Sequence, residues 1–155
     1  MTEIHLYTDG GNRNTGNVAG GSVRPTDKSA WAALLLYGDH QKMLSGGELG
    51  RTNNYMEIMA VIQGLSAIKR TDIPVTVFSD SAYVINTMQQ KWYVKWRQNH
   101  WVKGGQPVKN AALWQQLLAQ VDRFDQLTFQ KVKGHATNKH NNEVDAALNR
   151  TMDQL

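Results

Sequence analysis

The sequence predicts an α/β domain in which a five-stranded mixed sheet is flanked by helices. Three observations predict it: alternating or β-branched segments typical of strands, a change to helical spacing after residue 52, and a later strand set between helices. The chain has 155 residues, of which 41% are apolar, which is enough for one hydrophobic core. We therefore expect a single domain over residues 1–155.

The first part of the chain is predicted to form three antiparallel strands. Residues 3–8 alternate apolar and polar side chains, and we expect this strand to end at the Asp-Gly-Gly of residues 9–11. A Gly- and Asn-rich loop then runs to about residue 28. Residues 30–37 and about 42–49 are predicted to be two further strands joined by a Gly-Asp turn.

The period then changes to that of a helix. A polar opening at residues 52–54 precedes an apolar stripe that runs from Ile58 to Ile68, which predicts a helix. Pro74 precedes VTVF, a β-branched run typical of a buried parallel strand. The following Ser-Asp-Ser can cap a helix from Ala82 to about Gln90.

The last third of the chain is predicted to add a tryptophan-rich segment, a helix, a strand and a terminal helix. The tryptophan segment is interrupted by a Gly-Gly pair and a proline, and a helix follows from Ala111 to Val121. The last strand is expected over Leu127–Val132. Val144, Leu148 and Met152 form the stripe of the terminal helix, so the predicted order is β-β-β-α-β-α-α-α-β-α.

Composition excludes several classes of protein. The chain has no cysteine, which excludes disulfide scaffolds and Cys-ligated metal sites and is compatible with a reducing cytoplasm, where we expect it to act. No apolar run approaches the ~20 residues of a membrane span, so no membrane partner is expected.

The charge is unevenly distributed. Seventeen basic and thirteen acidic residues give a net charge of +4, and all the carboxylates lie outside residues 81–121. Within that stretch, Trp92 and Trp96 interleave with Lys95 and Arg97 in KWYVKWRQNHW. Cations attract phosphates and aromatic faces stack on bases and sugars, so the segment indicates a nucleic-acid surface. The alternative is an ordinary amphipathic helix that buries its tryptophans in the core.

Four carboxylates occupy strand ends and helix starts. Asp9 and Asp80 follow predicted strands, and Glu57 and Asp145 lie early in helices that can flank them. If the four converge, their mutual repulsion requires divalent cations such as Mg²⁺ or Mn²⁺. Two such ions about 4 Å apart suit phosphodiester hydrolysis.

Each acid also has an ordinary structural interpretation. Asp9 with the glycine after it can be a hairpin turn, and Glu57 can complete a capping box with Asn54. Asp80 can be a plain helix cap, and Asp145 a solvated helical acid. His135 lies in VKGHAT between the last strand and the last helix, where a histidine can move protons or be an ordinary loop residue.

Six ordered motifs resemble type 1 ribonuclease H in its bacterial form, and they cover nearly the whole chain. They are YTDGG at 7–11, RTNNYMEIMAVIQGL at 51–65, VFSDSAYV at 77–84, WYVKWRQNHW at 92–101, PVKNAALW at 107–114 and VKGHATNKHNNEVDAAL at 132–148. The resemblance implies the ribonuclease H-like fold with a basic helical protrusion. It also implies endonucleolytic cleavage of the RNA strand of RNA–DNA hybrids, leaving 5′-phosphate and 3′-hydroxyl ends, with a role in removing RNA primers and R-loops.

The resemblance also implies residue roles and a cofactor. It implies two Mg²⁺ ions, with Mn²⁺ as a substitute, both bridged by Asp9. Asp145 would join Asp9 at the ion that activates water, and Glu57 and Asp80 at the other. His135 would aid turnover without holding metal. By family resemblance the expected state is a monomer.

Further positions match the family's substrate contacts. Glu57 resembles the family in contacting a 2′-hydroxyl through a metal-bound water. The loop after Asp9 is longer than in the commonest form, and within it only Asn12 and Asn14 can be aligned. The remaining matches are Asn53 at the RNA minor groove, Thr52 and Asn54 at a DNA phosphate, and Trp92 in the DNA channel, with Lys95, Trp96 and Arg97 in the basic helix. Ala82 stands where many members carry Gln, so one RNA contact is expected to be lost or supplied elsewhere.

Two rival functions are considered. A junction resolvase of the same fold would not need the Thr-Asn-Asn before Glu57 or the tryptophan-bearing basic segment. A non-catalytic module that binds hybrid or duplex would not need four carboxylates. The complete acidic set therefore favours a nuclease.

Overall fold

The computed structural model of the chain describes residues 3–13, 23–132 and 138–155, and its central feature is a five-stranded sheet. Its strands are β1 (Ile4–Arg13), β2 (Lys28–Tyr37), β3 (His40–Leu49), β4 (Val75–Ser79) and β7 (Leu127–Lys131). Their order across the sheet is β3-β2-β1-β4-β7. The pairs β1–β2 and β2–β3 are antiparallel, and the pairs β1–β4 and β4–β7 are parallel. The predicted mixed α/β sheet is confirmed.

Five helices accompany the sheet in the described part of the chain. They are α1 (Asn53–Ser66), α2 (Ala82–Gln89), α3 (Trp92–Gln98), α4 (Ala111–Val121) and α5 (Lys139–Asp153). These bounds agree with the predicted helices within one or two residues where a bound was predicted. None of the described helices is long and apolar enough to cross a membrane.

The core forms two apolar clusters. The larger cluster combines Leu6 and Val77 of the sheet with the apolar sides of α1, α2 and α4, including Leu65 and the fully buried Trp114. The second cluster lies under α5, where the predicted stripe of that helix packs on side chains of β1 and β2, among them Tyr7 and Leu34. Helices therefore cover both faces of the sheet, and the elements on each side contribute to the site.

The first strand is longer than predicted, and the hairpin interpretation of residues 9–11 is wrong. Asp9 pairs with Ala32 and Gly10 with Trp31 inside the β1–β2 ladder, which continues to Arg13. Gly10 is required there for a packing reason, because a Cβ atom at this position would lie 2.3 Å from the backbone carbon of Met56. The glycine thus marks a close approach of α1, not a turn.

A small hairpin forms where the sequence predicted only an interruption of the tryptophan segment. β5 (Val102–Lys103) pairs antiparallel with β6 (Gln106–Pro107) around the two glycines. Both glycines have positive φ, 57° and 78°, which L-residues rarely adopt. The Gly-Gly pair therefore forms the turn of a hairpin at the end of the predicted protrusion.

Candidate active site

Asp9 and Asp80 lie side by side because of the parallel pairing of β1 with β4. Tyr7 is in register with Phe78, and the two rings stack with centroids 4.5 Å apart. Side chains alternate along strands, so Asp9 follows Tyr7 on the same face, and Asp80 follows Phe78 just beyond the end of β4. Strand register thus brings together two acids that are far apart in sequence.

Glu57 reaches the same place from α1. Thr52 caps this helix by accepting a hydrogen bond from Tyr55 N at 3.0 Å, so the predicted capping-box role of Glu57 is wrong. Glu57 is instead buried, one turn into the helix, where the helix passes over Gly10. The Gly10 N–H donates to Asp9 Oδ1 at 2.9 Å.

The interpretation of Asp80 as a helix cap is also wrong. Ser81 is the N-cap of α2, and its hydroxyl accepts from Val84 N at 3.2 Å. Ser79 Oγ accepts from Ser81 N at 3.0 Å, which fixes the turn around Asp80. Asp80 is half-buried and its carboxylate is left to face the other acids.

Asp145 approaches from α5. The apolar side of this helix is buried, including Val144 and Leu148 on either side of the acid. Asp145 is half-buried, lines the same cleft as Asp9, and its charge helps to raise the pKa of Asp9, so it is not an isolated solvated acid. The four predicted carboxylates line one open cleft of about 440 Å³.

The electrostatics of this cleft indicate a site for cations. One carboxylate oxygen from each of Asp9, Glu57 and Asp80 lies within 4.8 Å of the others. Burial, reinforced by Asp80 and Asp145, raises the pKa of Asp9 to about 7. Burial, reinforced by Asp9 and Asp80, also raises the pKa of Glu57 well above its usual value. Charged carboxylates this close are therefore unfavourable unless a cation neutralises them.

The donor set fits a hard divalent cation. Glu57 Oε2 is buried and has no hydrogen-bond partner among the described residues, and an orphaned buried carboxylate oxygen is costly unless a ligand satisfies it. Carboxylate oxygens are the ligands that Mg²⁺ and Mn²⁺ prefer. The oxygen ligands and the mutual repulsion of the carboxylates therefore both indicate a site for a divalent cation.

The predicted polar contacts lie along the rim of the cleft. Asn53 and Asn54 line it with Asn12. Asn53 Oδ1 accepts from Asn12 N at 2.6 Å, and Asn12 Nδ2 donates to Arg51 O at 3.1 Å. These two hydrogen bonds do not use the amide N–H group of Asn53 or the side-chain carbonyl oxygen of Asn12. The Thr52 hydroxyl serves the helix cap.

The predicted tryptophan segment divides into an exposed part and a packed part. Trp92 is 39% exposed, and Lys95 and Arg97 are also exposed. Trp96 is half-buried, its ring centroid lies 6.0 Å from that of the buried Trp114, and it also lines the groove beside α3, so it both packs on the core and faces the groove. A groove of about 870 Å³ beside α3 is lined by Trp92, Lys95 and the β5–β6 hairpin.

Two predicted residues cannot be placed. Asn14 and His135 lie outside the described residues, which omit 14–22 and 133–137. Sequence reasoning also missed two residues near the cleft, Arg13 and Asn149. Asn149 lies one turn after Asp145, a spacing that could have indicated it, whereas Arg13 carried no local signal.

Comparisons with known proteins are consistent with this site. A sequence model of the family described as RNase H matches residues 1–152. Ribonuclease H from Thermoanaerobacter sp. (strain X514) is 43% identical over 143 residues, covering 92% of this chain and 84% of that protein. Ribonuclease H from Hydrogenovibrio crunogenus is 42% identical over 156 residues, covering 100% of this chain and 99% of that protein.

Solved structures share the fold. The crystal structure of LC9-RNase H1, described as a type 1 RNase H with the type 2 active-site motif, superposes with a TM-score of 0.84 at 22% identity, covering 99% of this chain and 74% of that one. LC11-RNase H1 in complex with RNA/DNA hybrid gives a TM-score of 0.66 at 21% identity, covering 98% of both chains.

Proposed function

The chain belongs to the ribonuclease H family, and from this premise we propose that it cleaves RNA–DNA hybrids endonucleolytically by two-metal-ion catalysis at the carboxylate cluster. As a ribonuclease H it is an enzyme that hydrolyses RNA paired with DNA. The finer proposal rests on one observation, the convergence of buried and mutually repelling acids at the end of the sheet. The expected products are a 5′-phosphate and a 3′-hydroxyl.

The carboxylates are proposed to divide the work of holding two ions. Asp80 and Asp145 both raise the pKa of Asp9, and Asp9 raises that of Glu57, so Asp9 would be shared by the two ions, with Asp145 at one and Glu57 and Asp80 at the other. The ions that these carboxylates would hold would supply activation of water and neutralisation of the charge that develops on the phosphate. Mn²⁺ offers the same ligand preference and is expected to substitute.

The neighbouring polar residues are proposed to select the RNA strand. Asn53 and Asn12 both line the cleft, and the Asn53 N–H group and the Asn12 amide oxygen, which their mutual contacts do not use, would complement a 2′-hydroxyl that can both accept and donate. Asn14 is proposed to extend this contact. Hybrid recognition thus depends on the sugar and not on base edges.

The basic protrusion, defined as α3 and the β5–β6 hairpin, is proposed to hold the DNA strand. Lys95 and Arg97 supply phosphate contacts, and Trp92 offers an exposed ring beside the groove. Trp96 supports this surface from below by packing on Trp114. Thr52 and Asn54 are proposed to contact a DNA phosphate at the start of α1.

The remaining parts of the proposal concern the cell. His135 is proposed to assist turnover without holding metal. The protein is proposed to act as a cytoplasmic monomer that removes RNA from primers and R-loops, since these are the settings in which RNA is paired with DNA.

The direct test uses end-labelled RNA in three forms (single strand, RNA duplex and RNA–DNA hybrid) together with a DNA duplex of the same sequence. Each is incubated with the protein in Mg²⁺ or in EDTA. We expect Mg²⁺-dependent internal cutting of the hybrid alone, and the product ends are read by their response to phosphatase and kinase. Tight hybrid binding without any cutting would replace the proposal with a binding module, and cutting of four-way junctions would favour a resolvase.

A further inference from the structure

Arg13 links the strand that carries Asp9 to the helix that carries Asp145. Its Nη1 lies 2.6 Å from Asp153 Oδ1. Its Nη2 donates to Asn149 O at 3.1 Å and lies 3.4 Å from Asn149 Oδ1. One guanidinium on β1 therefore contacts two successive turns of α5.

The contacts follow a shared register. Asp9 and Arg13 lie on the same face of β1, four residues apart, a separation of about 13 Å along a strand. Asp145, Asn149 and Asp153 are spaced by four residues on one side of α5, and eight residues of helix span about 12 Å. The distance from Asp9 to Arg13 along the strand therefore nearly equals the distance from Asp145 to Asp153 along the helix. Asp9 can face Asp145 at one end of the contact while Arg13 meets Asp153 at the other.

The two ends of this contact have opposite electrostatic character. At one end Asp145 faces Asp9, and two carboxylates repel each other. At the other end Arg13 attracts Asp153 and binds the Asn149 carbonyl. Between them α5 passes close over Gly11, where an added Cβ atom would lie 3.4 Å from Leu148 Cδ2.

We propose that Arg13 is a positioning residue that fixes the register of α5 on β1 and so holds Asp145 at the cation site opposite Asp9. The inference rests on the proposed function, because it assigns Asp145 to that site. Asn149 supports the same arrangement, since its Nδ2 donates to the Asp145 carbonyl at 3.0 Å. The substitution of Arg13 is thus expected to act on the cation site through the helix.

A positioning role and a purely electrostatic role of Arg13 predict opposite changes in Mg²⁺ affinity when Arg13 is replaced. Loss of a nearby cation by itself makes a carboxylate cluster more attractive to Mg²⁺. Loss of register moves Asp145 away and makes binding weaker. The Arg13–Asp153 pair is largely exposed, with 38% and 64% of the side chains accessible, so its removal should cost little global stability.

The experiment is calorimetric titration of Mg²⁺ into metal-free Arg13→Ala, with the melting temperature measured in parallel. We expect Mg²⁺ affinity to fall by about three- to tenfold, the size of one modest interaction, with the melting temperature nearly unchanged. The double variant Arg13→Asp, Asp153→Arg reverses the ion pair and should recover part of the affinity, since the introduced carboxylate cannot donate to the Asn149 carbonyl. Arg70→Ala breaks a similar exposed pair with Asp72, formed at 2.7 Å, and serves as the matched control.

The outcomes separate the inference from the function on which it rests. Asp9→Asn in the same titration should abolish strong binding, and normal binding in that variant would overturn the proposed site itself. If Asp9→Asn loses binding but Arg13→Ala binds Mg²⁺ equally or more tightly, only the role of Arg13 is overturned. Weaker hybrid binding with a reduced salt dependence and unchanged Mg²⁺ affinity would make Arg13 a phosphate contact instead.

Discussion

At the scale of single residues, Asp9 determines both the chemistry and part of the stability of the site. It is buried between the other acids, and its pKa is raised to about 7. A carboxyl group with a raised pKa binds more protons in the folded state than in the unfolded one. Without metal, the contribution of Asp9 to the free energy of unfolding therefore falls as the pH rises from about 4 to above 7.

The corresponding variant is Asp9→Asn, which removes the titrating charge and nearly preserves the shape. Cleavage of hybrid should disappear, and Asp80→Asn should have the same effect. In EDTA, Asp9→Asn should gain unfolding free energy over the parent at pH 8, on the order of 2–4 kcal/mol, and less at pH 5. Urea denaturation at both pH values measures this difference.

The matched control for that experiment is Asp39→Asn, which changes an exposed acid in the β2–β3 turn. It should leave both cleavage and the pH dependence near those of the parent. Near-parental cleavage by Asp9→Asn would show that Asp9 is not part of the catalytic site. An equal gain in the free energy of unfolding at both pH values would show that the ionisation of Asp9 is not the cause of the gain.

His135 is proposed to affect turnover and not metal binding. His135→Ala should lower kcat by about tenfold to a hundredfold, below or within the usual range for loss of a proton-transfer group, while calorimetric Mg²⁺ affinity stays the same. His140→Ala is a suitable control, because His140 pairs with Glu143 at 3.1 Å on α5. A loss of Mg²⁺ affinity in His135→Ala would make the histidine a metal ligand.

At the scale of elements, the close approach of β1 and α1 is what brings Glu57 to Asp9. A Cβ atom at Gly10 would lie 2.3 Å from Met56 C and 2.4 Å from Glu57 N, which are backbone atoms that cannot move independently. Gly10→Ala should therefore displace the start of α1 and cost on the order of 1–3 kcal/mol or more. Chemical denaturation measures the change.

Gly11→Ala is the control for this element contact. Its added Cβ atom would make an ordinary contact of 3.4 Å with the Leu148 side chain. It should change the free energy of unfolding much less than Gly10→Ala. Equal effects of the two substitutions would mean that strand propensity, and not the approach of α1, decides the cost.

The basic protrusion is a second element whose role can be isolated. Replacing Lys95 and Arg97 together by Ala should weaken hybrid binding and reduce the slope of log affinity against log salt by about one to two. Lys42→Ala, Lys69→Ala is the control, because these exposed cations lie far from α3 along the chain and outside the groove beside it. An unchanged slope in the first variant would return α3 to the role of an ordinary amphipathic helix.

At the scale of the whole molecule, the order of strands and helices was predictable from the spacing of apolar residues and from the glycine and proline residues that separate the segments. The stripe of Val144, Leu148 and Met152 indicated α5, and the β-branched run after Pro74 indicated β4. The ends of neighbouring parallel strands then predicted where acids would meet. These are local patterns whose consequences follow from general rules of α/β folds.

The features that were missed depend on long-range contacts. Residues 9–13 look like a turn because glycine and asparagine are common in turns, yet pairing with β2 keeps them in the strand. Trp96 has the four-residue spacing that both a core and a binding face show, and in the structure it packs on Trp114 and also lines the groove beside α3. Arg13 has partners on α5, which no local pattern can indicate.

The helices that carry Glu57 and Asp145 cover opposite faces of the sheet. This arrangement has a consequence for the synthesis of the protein. A chain leaves the ribosome from its amino end, so β1, α1 and β4 are available to fold while α5 is still inside the exit tunnel. Until Asp145 emerges and α5 covers the sheet, the nascent chain holds an incomplete set of carboxylates. A nuclease made on a machine of RNA thus acquires its full site only after α5 has emerged.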